Sequence, residues 1–337
     1  MSDRLRPLLV VAAVLVLVLG VVPAVLGAFD RSYLYQVANL ALIFVLLAAS
    51  MHLVTGVAGL LQLGHAAFYG VGAYTAALLA TDAGLSFGWT LPLAGLGAAF
   101  VAVLVALPTM RLVSIYFAVA TLGIGQMLYL VMLNWVPVTK GPNGILITSG
   151  LTLFGYDLSR PASAYFVVAV VTLASLWVIH RLSHSYYGNA LRSLREDDQC
   201  ADAMGLDTVR LKIESFAVSG FFAGIAGALW AHTAGYISPA DFSFPQSILI
   251  LAMVVVGGLG SLPGAVIGAL VLILLPEVLR PVGDFRNIIV GGVLFFSILL
   301  MPKGIIGEVS ALDLVRRQLG GAWRGEGTKA GSEVGWR

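Results

Sequence analysis

Two stretches of this 337-residue sequence gather side chains able to do chemistry. The first, GVAGLLQLGHAAFYGVGAYTAALLA (Gly56 to Ala80), sets Gln62, His65, Tyr69 and Tyr74 among glycines in an otherwise apolar run. Glycine allows close backbone approach and lets a helix break where its backbone lines a cavity. An amide, an imidazole and two phenols could then face a polar solute. Tight helix packing, with the polar side chains satisfied locally, is the alternative reading. The second stretch, YYGNALRSLREDDQCADAMGLDTVRLK (Tyr186 to Lys212), holds the densest charge in the chain. Arg192 and Glu196 stand at i,i+4, and Arg195 and Asp198 at i,i+3, a spacing that predicts a helix. Leu191, Leu194, Ala201 and Met204 lie broadly on one side, shared with Asp197 and Asp198, and Gly205 is a stop signal. A short helix with an apolar patch and a charged rim suits docking into a groove of a soluble partner. A solvated loop helix is the plainer reading.

Other chemistry is missing. The dipeptide Gly-Lys never occurs, so the chain has no P-loop for ATP, and HExxH is not present. A single cysteine, Cys200, excludes an intramolecular disulfide and a cysteine cluster for zinc, and no metal site is expected. Ion-driven carriers place ionisable groups within their spans. Here Asp30, Asp82, Asp157, Asp241 and Asp284 fall in predicted loops or at segment ends, and Glu214 and Glu277 near membrane boundaries. With no ion relay, active transport would have to draw its energy from another subunit.

The elements that must position these residues are apolar helices. Hydrophobic residues make up 59% of the chain and charged ones 11%, with a mean hydropathy of +0.96. Soluble domains carry roughly 25% charged residues, so the surface of this chain must face something other than water. The fold class expected is an all-α polytopic membrane protein, with no domain of catalytic type and no enzymatic activity. A net charge of +2 is too small to suggest nucleic acid as a partner. Ten apolar segments can be read, at 8–29, 33–54, 62–80, 89–107, 111–133, 162–180, 213–235, 245–258, 264–280 and 286–302. The third and eighth are short or dense in glycine, and treating them as re-entrant leaves eight full spans. The apolar run from Pro7 to Phe29 exceeds the ~7–15 residues of a signal-peptide core and reads as an uncleaved first span.

Charge sets the expected orientation. With the N-terminus in the cytoplasm, ten alternating spans put fourteen of the 19 basic residues inside and five outside. Both termini are therefore expected in the cytoplasm. Residues 1–307 would form the transmembrane domain, with a cytoplasmic segment at 185–212. Residues 308–337 would form a tail, whose glycine-rich part from Gly320 onward reads as disordered. The long external connection contains Lys140, Gly141, Pro142, Asn143 and Gly144. Gly220 with Gly224, and Gly264 with Gly268, have the GxxxG spacing that lets helices pack closely in lipid, within this chain or against another. Glycine-interrupted elements at Gly59 to Tyr74 and Gly257 to Ala269 occupy matching places in two halves, a pattern found in transporter repeats.

These residues carry a family resemblance. The stretches are LGHAAFYGVGAYTAALLA, TLGIGQMLYLVMLNW, KGPNG, YGNALRSLREDDQCADAMGLDTVRLK, AGALWAHTAGYISPADFSF, ILAMVVVGGLGSLPGAVIGAL and PKGIIG. In that order, from about Ser32 to Gly307, the sequence resembles the branched-chain amino acid ABC-transporter permeases of the LivM type. The resemblance implies an importer subunit of a prokaryotic cytoplasmic (inner) membrane, paired with a related LivH-type permease. Two cytoplasmic ATPase subunits would use ATP and Mg, no cofactor being bound by this chain, and an external or periplasmic solute-binding protein would deliver substrate. By position, Arg195, Glu196, Asp197, Ala201, Ala203, Met204 and Gly205 would form the ATPase-coupling element. Gln199 and Cys200 depart from the aliphatic and small residues usual there. The same architecture would also serve urea, short amides or another small neutral solute, and a stand-alone facilitator or channel would conduct without ATP.

Overall fold

A computed structural model describes residues 32–110, 112, 114–147, 152–153, 156–157, 161–280 and 291–292. The segment expected at 8–29, that at 286–302 apart from residues 291–292, the PKGIIG motif and the tail lie outside the described residues. Among the described residues, eleven α-helices follow one another: α1 (Ser32–His52), α2 (His65–Thr81), α3 (Phe87–Thr109), α4 (Ser114–Asn134), α5 (Val136–Thr139), α6 (Pro161–Ser183), α7 (Tyr186–Glu196), α8 (Asp198–Ala203), α9 (Thr208–Ala234), α10 (Phe244–Gly257) and α11 (Leu262–Val278). Four two-residue strands complete the order: β1 (Ile145–Leu146), β2 (Thr152–Leu153), β3 (Tyr156–Asp157) and β4 (Tyr236–Ile237). β1 pairs antiparallel with β4, Ile145 opposite Ile237, and β2 with β3. Among the described residues, five helices are long and apolar enough to cross a bilayer: α1 with the π turn Leu53–Val57 that extends it, most of α4, and all of α3, α6 and α9. This is a multi-pass membrane protein.

α1 is apolar on all sides and, from Asn39 to its end, almost wholly buried, as an all-round hydrophobic helix must be. It runs antiparallel to α9, where Ser219 Oγ donates to the Ser50 carbonyl at 2.8 Å. Rings of Tyr35 and Tyr165 meet at 6.1 Å and set the start of α1 beside the start of α6. That end of the bundle also carries the β1–β4 pair, and the opposite end carries α7 and α8.

Helices do not gain hydrophobic free energy by leaving lipid for one another, so close van der Waals packing of small residues holds them. α9 shows this on two faces. A Cβ on Gly220 would stand 2.5 Å from Ala102 Cβ, and one on Gly224 would stand 2.6 Å from the Ala94 carbonyl oxygen, so both glycines seat α3. Gly72 of α2 lies against the Gly224 backbone. Gly264 and Gly268 pack on Gly257 and the Met253 carbonyl, closing α10 and α11 into a hairpin that turns through Gly258 at φ +122°. Both GxxxG pairs thus meet helices of this same chain. The large side chains Phe100, Leu104, Leu107, Tyr116, Val119 and Met127 of α3 and α4 point outward and remain exposed.

Three apolar helices of the bundle fall short of a full span. α2, α10 and α11 have 17, 14 and 17 residues, which gives them about 26, 21 and 26 Å against the ~30 Å of a bilayer core. Non-helical lead-ins precede two of them: residues 58–64 before α2, and a segment with the 3₁₀ turn Pro239–Phe242 before α10. The helix expected from residue 62 therefore begins at His65, because Gly59 adopts φ +72° and the chain stays non-helical until the cap at Gly64.

Overpacking a close-packed site typically costs about 1–3 kcal/mol. Gly224→Leu is expected to lower the unfolding midpoint in mixed detergent by an amount of that order. Gly123→Ala, where an added Cβ would meet nothing within 4 Å, is expected to be neutral or slightly stabilising.

Candidate functional site

The break ahead of α2 is where four helices meet. The first turn of any helix leaves N–H groups that its own backbone cannot satisfy, and Gly64, the cap here, has no side chain to offer. The neighbours supply the acceptors. Ala66 N–H donates to Ser247 Oγ of α10 at 3.0 Å, and Leu63 N–H to Thr121 Oγ1 of α4 at 3.1 Å. Thr121 is held in place by its own donation to the Ala118 carbonyl at 2.9 Å. Gly64 fits beside Thr121 only because it lacks a Cβ, which would overlap the Thr121 carbonyl oxygen. From α1, the Ser50 hydroxyl donates to the Leu47 carbonyl at 2.8 Å. His65 Nε2 lies 2.9 Å from the same hydroxyl oxygen and so acts as the donor to it. His65 Nδ1 then has no partner, and both amide atoms of Gln62, 1% exposed, have none either.

Further along α2 the lead-in to α10 closes over the helix. Phe242 meets Tyr69 and Tyr74 edge-on, with ring centroids 5.0 and 5.9 Å away. Gly70 makes room for that ring, since a Cβ there would stand 2.8 Å from Phe242 Cγ. Asp241 is occupied by the capping box at Ser238, accepting its N–H at 3.0 Å. Tyr74 Oη is buried without a partner. The structure therefore places Gln62, His65, Tyr69 and Tyr74 in one buried region, with the first two at the break and the phenols under Phe242.

The charged segment differs from the single helix expected. Asp197, at φ −158° and ψ 114°, divides it into α7 and α8. Its Oδ1 accepts the N–H groups of Gln199 and Cys200, each at 2.9 Å, and so caps α8. The bonds from Cys200 and then Gln199 hold the Asp197 carboxyl below the usual carboxylate range. Expected ion pairs are replaced as well: Arg192 donates to Asn189 Oδ1 at 3.0 Å, and Asp198 pairs with the buried Lys212. Leu191 and Leu194 pack with Leu53, Val57 and Ala58 in a small core beneath the π turn. Arg195 is exposed yet also reaches inward. Its Nη1 donates to the Gly56 carbonyl at 2.8 Å, and its stem lies over Gly59. Ala201 is buried, whereas Glu196, Ala203 and Gly205 are exposed and Met204 is 84% exposed, contrary to its expected place on the apolar side. Gly205, at φ +86°, ends α8.

At the other end of the bundle, Lys140 and Gly141 take left-handed conformations and lead into the turn Gly141–Asn143. Tyr236 Oη donates to the Asn143 carbonyl at 3.1 Å, and Gly144 lies against the Ile237 carbonyl. Lys140, Pro142 and Asn143 are exposed.

Residues 33–300 match the family described as the permease component of branched-chain amino acid transport systems. The chain belongs to that family. Its relatives include the high-affinity branched-chain amino acid transport system permease protein LivM of Escherichia coli, 35% identical and covering 86% of this chain and 73% of the relative. LivH of the same organism is 26% identical over 79% of this chain and 91% of its own. BraD of Pseudomonas aeruginosa is 26% identical, covering 82% and 96%. No solved structure matches. The chain is thus a LivM-type permease, related also to LivH.

For this permease, sequence reading overlooked Ser50, Thr121, Ser247 and Phe242, which tie α1, α4 and α10 to α2. Ser50 had a signal: it is the single hydroxyl in the run IFVLLAASM. The Asp197 cap sets a pH window. A depressed carboxyl contributes fully above the ordinary Asp range, near pH 4, and loses its effect as pH falls through the depressed value. Hydrogen-exchange protection at Cys200 and Ala201, corrected for intrinsic rates, is expected to hold steady from pH 5 to 8. Asp197→Ala is expected to reduce it several-fold and Asp197→Asn far less.

Proposed function

We propose that this chain is a membrane-embedded subunit of an ATP-driven importer, carrying branched-chain amino acids across the prokaryotic cytoplasmic membrane. The family match and the cargo in the names of its LivM, LivH and BraD relatives support the reading. The observation that carries the mechanism is the Arg195 to Gly56 hydrogen bond, which joins a surface segment to the π turn at the end of α1, just ahead of the α2 break. The end with α7 and α8 faces the cytoplasm, because Arg181, Arg192, Arg195, Arg210 and Lys212 collect there. Both termini lie on that side.

A cytoplasmic ATPase docks on Glu196, Asp197, Ala203, Met204 and Gly205. Arg195 and Ala201 transmit its movement inward. A related LivH-type permease completes the membrane pair, and two ATPases supply the power stroke with ATP and Mg. A solute-binding protein delivers substrate to the face bearing Lys140 to Gly144. Gln62, His65, Tyr69 and Tyr74 line the passage: unpartnered polar groups in a dry interior are costly, and alternation of the pair between outward- and inward-open states exposes them to the solute.

Docking and transmission separate by mutation. In proteoliposomes holding the whole transporter, Glu196→Lys is expected to lower both ATPase copurification and ATP-dependent uptake of labelled leucine by tenfold or so, with membrane insertion unchanged. Arg195→Ala is expected to keep the ATPases bound and still reduce uptake. Normal uptake in both variants would remove the coupling assignment. Leucine flux without ATP would favour a facilitator, and displacement of leucine by urea would reassign the cargo.

A further inference from the structure

A second polar locus lies between α1 and α9, at the end of the bundle away from α7 and α8. There Gln36, Asn39, Leu40, Trp230, Thr233 and Ala234 line a cavity of about 200 Å³. That is far more than the ~10–15 Å³ one water needs and less than the ~300–1,000 Å³ of pockets for drug-sized ligands. The size suits a small solute. The lining holds no charge, yet two of its polar groups are buried without partners: Asn39 Oδ1, on a side chain 6% exposed, and Trp230 Nε1. One can only accept a hydrogen bond and the other can only donate. Thr233 gives its hydroxyl proton to the Leu229 carbonyl at 2.7 Å, so its oxygen turns a lone pair outward as a second acceptor. Gln36 is exposed at the mouth, and Leu40 and Ala234 add apolar surface. Asn39 stands about three turns of α1 from Ser50 and the α2 break, so this is a separate place.

We propose that this cavity is an outer holding site for the transported amino acid, upstream of the α2 break. The proposal rests on the importer reading above. An acceptor pair beside a donor, with no net charge, matches a zwitterion. Asn39 Oδ1 and Thr233 Oγ1 receive the α-ammonium, and the Trp230 and Gln36 N–H groups receive the α-carboxylate. Leu40 and Ala234 meet the aliphatic side chain.

The test is equilibrium binding of labelled L-leucine to the purified, assembled transporter without its solute-binding protein, alongside uptake with it. Trp230→Phe removes the donor and keeps most of the ring. Loss of a hydrogen bond to a charged group is expected to weaken leucine binding about tenfold or more and to slow uptake. Asn39→Leu, of similar size, is expected to do the same. Copurification of the partner subunits shows that either variant has folded. Wild-type transporter that imports leucine, with both variants binding it equally well, would overturn the holding site and leave a cavity for water. Wild-type transporter that neither binds nor imports leucine would overturn the importer reading itself, and the holding site with it.

Discussion

Inside a bilayer no water waits to satisfy a free peptide group, so every backbone N–H and C=O needs a partner within the protein. The stretch from Ala58 to Gly64 has left the helix and must meet that constraint by other means. It survives because hydroxyls from elsewhere stand in for the missing helix. Thr121 of α4 and Ser247 of α10 accept the Leu63 and Ala66 N–H groups, and Ser50 of α1 holds the His65 ring. The break is consequently not a local property of its own glycines. Any displacement of those helices changes which peptide groups of α2 are satisfied, so the state of the break reports the arrangement of the bundle.

The glycines of α9 serve the same arrangement from the other direction. By admitting α3 on one face and Gly72 of α2 on another, they bring three backbones to distances that side chains would forbid. Such contacts are rigid units, since a packed interface of this kind has little slack. Rigid packing around α9 and a hydroxyl-stitched break beside α1 divide the molecule into a part that holds shape and a part whose bonds can be exchanged.

Much of this was legible in the residues. Composition and charge placement led to a multi-span helical bundle, and the glycine run around His65 marked the break. GxxxG spacing in α9 and α11 marked close packing. Other features depend on pairings that a one-dimensional pattern does not carry. The i,i+3 and i,i+4 charges of α7 predict ion pairs, yet a backbone carbonyl and a distant lysine are better partners for Arg195 and Asp198. Asp197 reads as one more charge on a helix, whereas its short side chain can cap a new helix only by leaving the old one. Phe242 lies far in sequence from Tyr69 and Tyr74, and only the return of the chain through β4 sets it over them.

The π turn at Leu53–Val57 holds more residues per turn than the α-helix it continues. Were the surplus residue drawn into the ordinary winding, everything after it would advance by about 100° around the helix axis. The direction in which the chain leaves α1 toward the α2 break would then change without any helix having to slide. Arg195 grips the carbonyl of Gly56, inside that turn. A guanidinium on the surface therefore holds the winding of a turn buried beneath it.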